Sequence, residues 1–215
     1  MFHNRFKNRE EAAKRLAKEL TEYREKNPVV LAIPRGGVVV AYEVAKALNA
    51  PLDLIIPRKI GAPGNPELAI GAVTEDGTTI LNQHLVAELG ISKEYIELEK
   101  EEQIQEIRRR IRVYREDAPP QSLEGKTIIL VDDGIATGAT MKAAIHSIRK
   151  QRPSAIVVAT PVGPPDTVEE LRREVDRLVC LIVFEPFFAI GQFYEDFSQV
   201  NDDEVIRLLR LSRKS

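Results

Sequence analysis

The chain has 215 residues and a formal net charge of −2, with 31 Lys and Arg against 33 Asp and Glu. That length supports one compact α/β domain with a full core, and the near balance of charge argues against the basic stripe of a nucleic-acid-binding protein. A lone cysteine, Cys180, excludes a disulfide within the chain, and no apolar run reaches the about 18 residues of a membrane span.

The N-terminus, Met1 to Glu11, is polar and charged, unlike a signal peptide, so a cytoplasmic protein is expected. Ala12, Ala13, Leu16, Ala17 and Leu20 recur at helical spacing and predict a helix over residues 9–26, ended by Asn27-Pro28. Val29 to Ile33 is a continuous apolar run, as in a strand buried on both faces. Pro34-Arg35-Gly36-Gly37 is a turn, and Val38 to Leu48 a helix. Leu52 to Ile56 predicts a second buried strand. Pro57 to Pro66 is rich in Pro, Gly and charge and predicts a mobile loop. Leu68 to Val73 and Thr78 to Leu81 predict strands around a Glu75-Asp76-Gly77 turn. A short helix over His84 to Leu89 precedes a long one, which Ser92 caps and which runs to about Arg115. Its Arg108, Arg109, Arg110 and Arg112 read as a solvated face.

Asp117 to Gly125 reads as a linker. Thr127 to Val131 predicts a third buried strand, Ala139 to Lys150 a helix, Ala155 to Thr160 a strand, Thr167 to Val175 a helix and Leu178 to Val183 a strand. Asp202 to Leu211 predicts a last helix. Strands alternating with helices predict an α/β fold with a parallel β-sheet flanked by helices on both faces. His3, His84 and His146 lack ligand spacing, so no zinc site is expected.

In such sheets ligands sit at the carboxyl ends of the strands. After Ile128-Ile129-Leu130-Val131 come two acids, Asp132 and Asp133, then Gly134-Ile135-Ala136-Thr137-Gly138-Ala139-Thr140 and a helix. Thr137, Gly138, Ala139 and Thr140 fall where a new helix exposes unpaired N–H groups, which favour an anion. A nucleotide-binding P-loop needs Lys after its last Gly, and Ala139 stands there instead. Carboxylates suit vicinal sugar hydroxyls and can orient water on Mg²⁺.

This segment resembles the PRPP-binding motif of the type I phosphoribosyltransferases. The resemblance implies a Rossmann-like core over about residues 27–183 of a single domain spanning 1–215. Asp132 and Asp133 would hold the ribose and, through water, Mg²⁺. Ala136, Thr137, Gly138, Ala139 and Thr140 would hold the 5′-phosphate. Arg35, Gly36 and Gly37 resemble the family's pyrophosphate loop, with a non-proline cis peptide expected near Arg35-Gly36. Arg58 and Lys59 resemble its flexible catalytic loop. Ala136 stands where the hypoxanthine-guanine branch has a base-reading Asp, which leaves Glu75, or alternatively Glu67, as the acid for the acceptor proton.

Five of the seven phenylalanines lie between Phe184 and Phe197. This stretch, about 184–200, reads as a hood over a planar acceptor, with Phe187, Phe188, Phe193 and Tyr194 as stacking candidates. The expected activity is transfer of the 5-phosphoribosyl group from PRPP to a small-molecule acceptor, a nucleobase, in nucleotide salvage or synthesis. Mg²⁺ is the expected cofactor, a homodimer is expected, and neither nucleic acid nor membrane is an expected partner. The alternative is a PRPP-sensing regulator that keeps the fold without turnover.

Overall fold

The computed structural model describes residues 5–116 and 118–214; His3 and Asp117, both named above, lie outside them. Five parallel strands form the main sheet in the order β2-β1-β6-β7-β8: β1 (Pro28–Ala32), β2 (Leu52–Leu54), β6 (Thr127–Val131), β7 (Ala155–Gly163) and β8 (Arg177–Val183). Alternate side chains of the strands serve two cores, because successive residues point to opposite faces. Val30, Ala32, Ile129 and Val131 pack beneath α1 (Arg9–Lys18), α2 (Gly36–Leu48), α4 (Lys93–Arg115) and α7 (Asp202–Ser212). Val29, Leu31, Ile128 and Leu130 pack beneath α5 (Ala139–Lys150) and α6 (Pro165–Arg172). The central strands are buried at every position, which is why they read as unbroken apolar runs.

The first helix is shorter than the spacing predicts. It stops at Lys18, and Thr21–Tyr23 forms a 3-10 turn. A larger difference concerns residues 57–66. They are strand, not loop: β3 (Arg58–Ala62) pairs antiparallel with β4 (Asn65–Val73), which pairs with β5 (Thr79–Leu81). Pro63-Gly64 is the hairpin turn, and in β3 the exposed Lys59 is followed by buried Ile60 and Gly61. The Pro and Gly content that suggested a loop belongs to a tight turn between two strands. This small sheet stands beside the main one, packed on α4 and α5. The short α3 (Gln83–Glu88) and the long α4 follow, with Ser92 capping α4 as expected. Among the described residues no helix is long and apolar enough to cross a membrane.

Candidate active site

Strand β6 ends by delivering Asp132 and Asp133 at the carboxyl edge of the sheet. Neighbouring strands pin the turn: Ile33 N–H donates to Val131 O, and Ile135 N–H to Val162 O, each at 2.9 Å. Asp132 is half-buried and Asp133 buried. The Asp133 N–H donates to Asp132 Oδ1 at 2.8 Å. Burial, and then the adjacent Asp133 charge, push the Asp132 carboxyl well above the ordinary carboxylate range.

Two helices begin beside this pair. Helix α2 starts at Gly36, with Arg35 as its N-cap. A Cβ on residue 36 would lie 1.9 Å from Asp133 Oδ2, and one on residue 37 would lie 3.0 Å from Asp132 Oδ1. A side chain at 36 would therefore displace the Asp133 carboxylate, and one at 37 would press tightly on Asp132. Helix α5 starts after Gly138, whose φ of +76° favours glycine. Thr167 of α6 props this loop by donating its hydroxyl to Ala136 O at 3.0 Å. Ala136 and Thr137 are exposed, and Ala139 and Thr140 half-buried. Two helix starts, each with unpaired N–H groups and a positive dipole end, thus flank two carboxylates.

Around this centre the other nominated residues separate. Arg35 stands at the α2 start and pairs with Asp202 Oδ1 of α7 at 3.6 Å. Asp202 in turn accepts from Tyr114 Oη at 2.7 Å. Burial, helped by Asp202, pushes the Tyr114 hydroxyl up to about 12. The non-proline cis peptide is at Pro34-Arg35, one bond before the expected place. Lys59 lines a cavity of about 710 Å³ with Thr137, Ala139, Lys142 and Glu67. Arg58, its neighbour in β3, points the other way, since alternate residues of a strand face opposite sides. Its Nε donates to Gln103 on α4 at 2.5 Å, and burial, then Arg110, lower its pKa.

Glu75 is not brought to this cleft. It sits in the β4–β5 turn, on a cavity shared with Gln151 and Asp53, and the same turn bonds Lys150 through Thr78. Lys150 and Gln151 lie at the far end of α5, about 18 Å of helix from its start at Ala139. Of the two acids nominated for the acceptor proton, Glu67 is the one beside the loop.

The hood aromatics also divide. Phe193 and Tyr194 are buried, each 3% exposed, in a satellite core with Phe6 and Ala12, so neither offers a free face to a ligand. Phe187 is half-buried against Phe193, with ring centroids 5.2 Å apart. Phe188 is 82% exposed. The Gln192 side chain holds their loop: it accepts from the Phe188 and Ala189 N–H groups and donates to Pro186 O.

Arg9 was not nominated from the sequence. It reaches from α1 to donate its Nε to Asp133 Oδ2 at 2.7 Å, and is itself 9% exposed. Its helical neighbours Glu10 and Glu11 gave no sign that this one charge turns inward. Tyr194, nominated for stacking, instead donates its hydroxyl to Asp133 O at 2.7 Å. Among the described residues no three His, Cys, Asp or Glu side chains gather as a metal cage.

Residues 4–198 match the family model described as "Phosphoribosyl transferase domain". A Mycobacterium tuberculosis protein named "Putative phosphoribosyl transferase" is 43% identical over 204 residues, which are 95% of this chain and 46% of that protein. The chain thus spans about half the length of the curated relatives it matches. The crystal structure of TT1426 from Thermus thermophilus has 42% identity and a TM-score of 0.81, covering 95% of this chain and 97% of that one. A purine phosphoribosyltransferase from Pyrococcus horikoshii shares the fold at 18% identity and a TM-score of 0.50, covering 90% of this chain and 92% of that one.

Proposed function

The chain belongs to the phosphoribosyl transferase family, and on that footing we propose that it transfers the 5-phosphoribosyl group of PRPP to a nitrogen acceptor, a nucleobase, releasing pyrophosphate. One observation carries the reading. Two acids suited to ribose hydroxyls lie between two helix starts suited to anions. PRPP has that order, a phosphate and a pyrophosphate on either side of a ribose.

In this proposal the α5 start, Ala136 to Thr140, takes the 5′-phosphate, and Asp132 and Asp133 take the ribose. The α2 start takes the pyrophosphate, with Arg35 leaving Asp202 to meet it. Transfer breaks the C1–O bond to pyrophosphate and forms a C1–N bond. Charge grows on the leaving pyrophosphate, and Arg35 and Lys59 are the cations that offset it. Such a reaction needs positioning and electrostatics more than a protein nucleophile. The acceptor binds on the hood side near Phe187 and Phe188, and Glu67 is the acid proposed for its proton.

The donors at hand, carboxylate oxygens without a cage, fit Mg²⁺ bound mainly by a diphosphate, with Asp132 reached through water. Bound there, the ion would neutralise pyrophosphate charge. The proposal also carries a homodimer and a cytoplasmic setting, the latter consistent with the single thiol.

The test is a panel of purine and pyrimidine bases incubated with PRPP and Mg²⁺, following pyrophosphate release. Release with one base supports the reading. Tight PRPP binding without release for any base would replace it with a PRPP sensor.

A further inference from the structure

We propose that Arg9 is a positioning residue for the donor site: it fixes the Asp133 carboxylate and ties it to the hood. The inference rests on the reading that Asp133 holds the donor ribose. Arg9 makes three contacts at once. Its Nε donates to Asp133 Oδ2 at 2.7 Å. One of its Nη atoms donates to Ser198 O at 2.8 Å, at the end of the hood. Its guanidinium lies 3.9 Å from the centroid of the Phe197 ring, a cation–π contact.

The chemistry requires arginine. A planar guanidinium can donate along two edges while stacking its face, whereas an ammonium cannot do all three in one place. The arrangement is also enclosed. Asp133 is 8% exposed and Arg9 9%, so the contact is charge-assisted and shielded from water. Gly36 closes the remaining side, since a Cβ there would also lie 2.9 Å from Arg9 Nε.

The contact joins parts distant in sequence. The segment before α1 is laced to the hood by backbone bonds: Phe6 N–H to Phe193 O and Glu195 N–H to Phe6 O, each at 2.8 Å, and Asp196 N–H to Lys7 O at 2.9 Å. Tyr194 of the hood stacks on Phe197 and donates to Asp133 O. The second ribose acid is thereby held by its side chain from α1 and by its backbone from the hood. Two residues follow it to the phosphate loop. An occupied hood and an occupied donor site then share one rigid support, and Arg9 is its hinge pin.

The test is a double-mutant cycle on PRPP binding, measured by calorimetry with Mg²⁺ present, using Arg9→Met, Asp133→Asn and the pair. Arg9→Met keeps an unbranched apolar stem, shorter by two atoms, and removes both donors. It should weaken PRPP binding roughly tenfold, as expected for a charged hydrogen bond of about 1.4 kcal/mol. In the Asp133→Asn background the same change should cost less than about threefold. Arg9→Lys should recover part of the loss. Equal cost in both backgrounds would make Arg9 a purely structural residue and overturn the proposal. Should Arg9→Met fail to fold, Arg9→Lys alone still decides it, because wild-type PRPP affinity in that variant would also overturn it. If Asp133→Asn binds PRPP as well as wild type does, the donor-site reading itself fails, a result distinct from failure at Arg9.

Discussion

Gly36 stands so close to Asp133 that a Cβ on it would lie 1.9 Å from the carboxylate oxygen Oδ2. The first turn of α2 and the second acid of the β6 loop therefore occupy a single packed joint. Gly36→Ala would have to push aside the carboxylate that Arg9 holds. It should cost about 1–3 kcal/mol of stability by overpacking and weaken PRPP binding at least about tenfold. Thermal unfolding and calorimetry on one preparation check both.

Tyr194 supports the same acid from the other side. Its hydroxyl is buried and donates to Asp133 O at 2.7 Å, and burial pushes its pKa up. Tyr194→Phe removes that bond and keeps the ring contacts with Phe6 and Phe197. We expect a loss of about 1–2 kcal/mol in chemical denaturation. A change in base preference without a change in stability would instead indicate direct contact with the acceptor.

Arg58 and Lys59 should part company when tested. Lys59 is exposed on the cavity that borders Thr137, whereas Arg58 is half-buried against Gln103. Lys59→Ala should lower kcat by roughly ten- to a hundredfold with little change in Tm. Arg58→Ala should show mainly as a lower Tm. Paired kinetics and melting curves on the two variants separate these outcomes, and the reverse pattern would place Arg58 at the pyrophosphate.

That pair also illustrates what a sequence can disclose. The loop from Ile128 to Thr140 was legible because its parts are contiguous: strand, acids, turn and helix start follow one another in the chain. The alternation of strands and helices likewise predicted the parallel sheet. Arg58-Lys59 was legible as basic but not as a strand, because Pro63-Gly64 signals a turn without saying which residues it pairs. Glu75 was close in sequence to Arg58 and Lys59, yet β4 carries it to the far end of α5. Arg9 was hidden for the opposite reason, lying 124 residues from Asp133 on a helix whose other charges face solvent. The aromatic stretch showed concentration but not burial, so Phe193 and Tyr194 looked like Phe187 and Phe188.

Asp76 offers a pH test of how the small sheet is anchored. It accepts from Thr74 Oγ1 at 2.6 Å and Thr78 Oγ1 at 2.7 Å, and pairs with Lys150 Nζ at 3.3 Å. Burial opposes its charge, yet these hydroxyls hold its carboxyl below the ordinary 3.8. A carboxylate lowered in the folded state adds stability above its unfolded value and loses it as pH falls below that value. Asp76→Asn should therefore lower stability at neutral pH by about 1 kcal/mol, its partial exposure limiting the effect. The difference from wild type should shrink below 3.8. Equal differences at neutral and acid pH would assign the effect to packing.

The most direct measurement of the central claim is a calorimetric titration of PRPP, with Mg²⁺, into the wild-type protein and into the Asp132→Ala, Asp133→Ala double variant. The donor-site account predicts saturable binding by the wild type and a loss of at least about a hundredfold in the folded double variant. Wild-type affinity in that variant would contradict it.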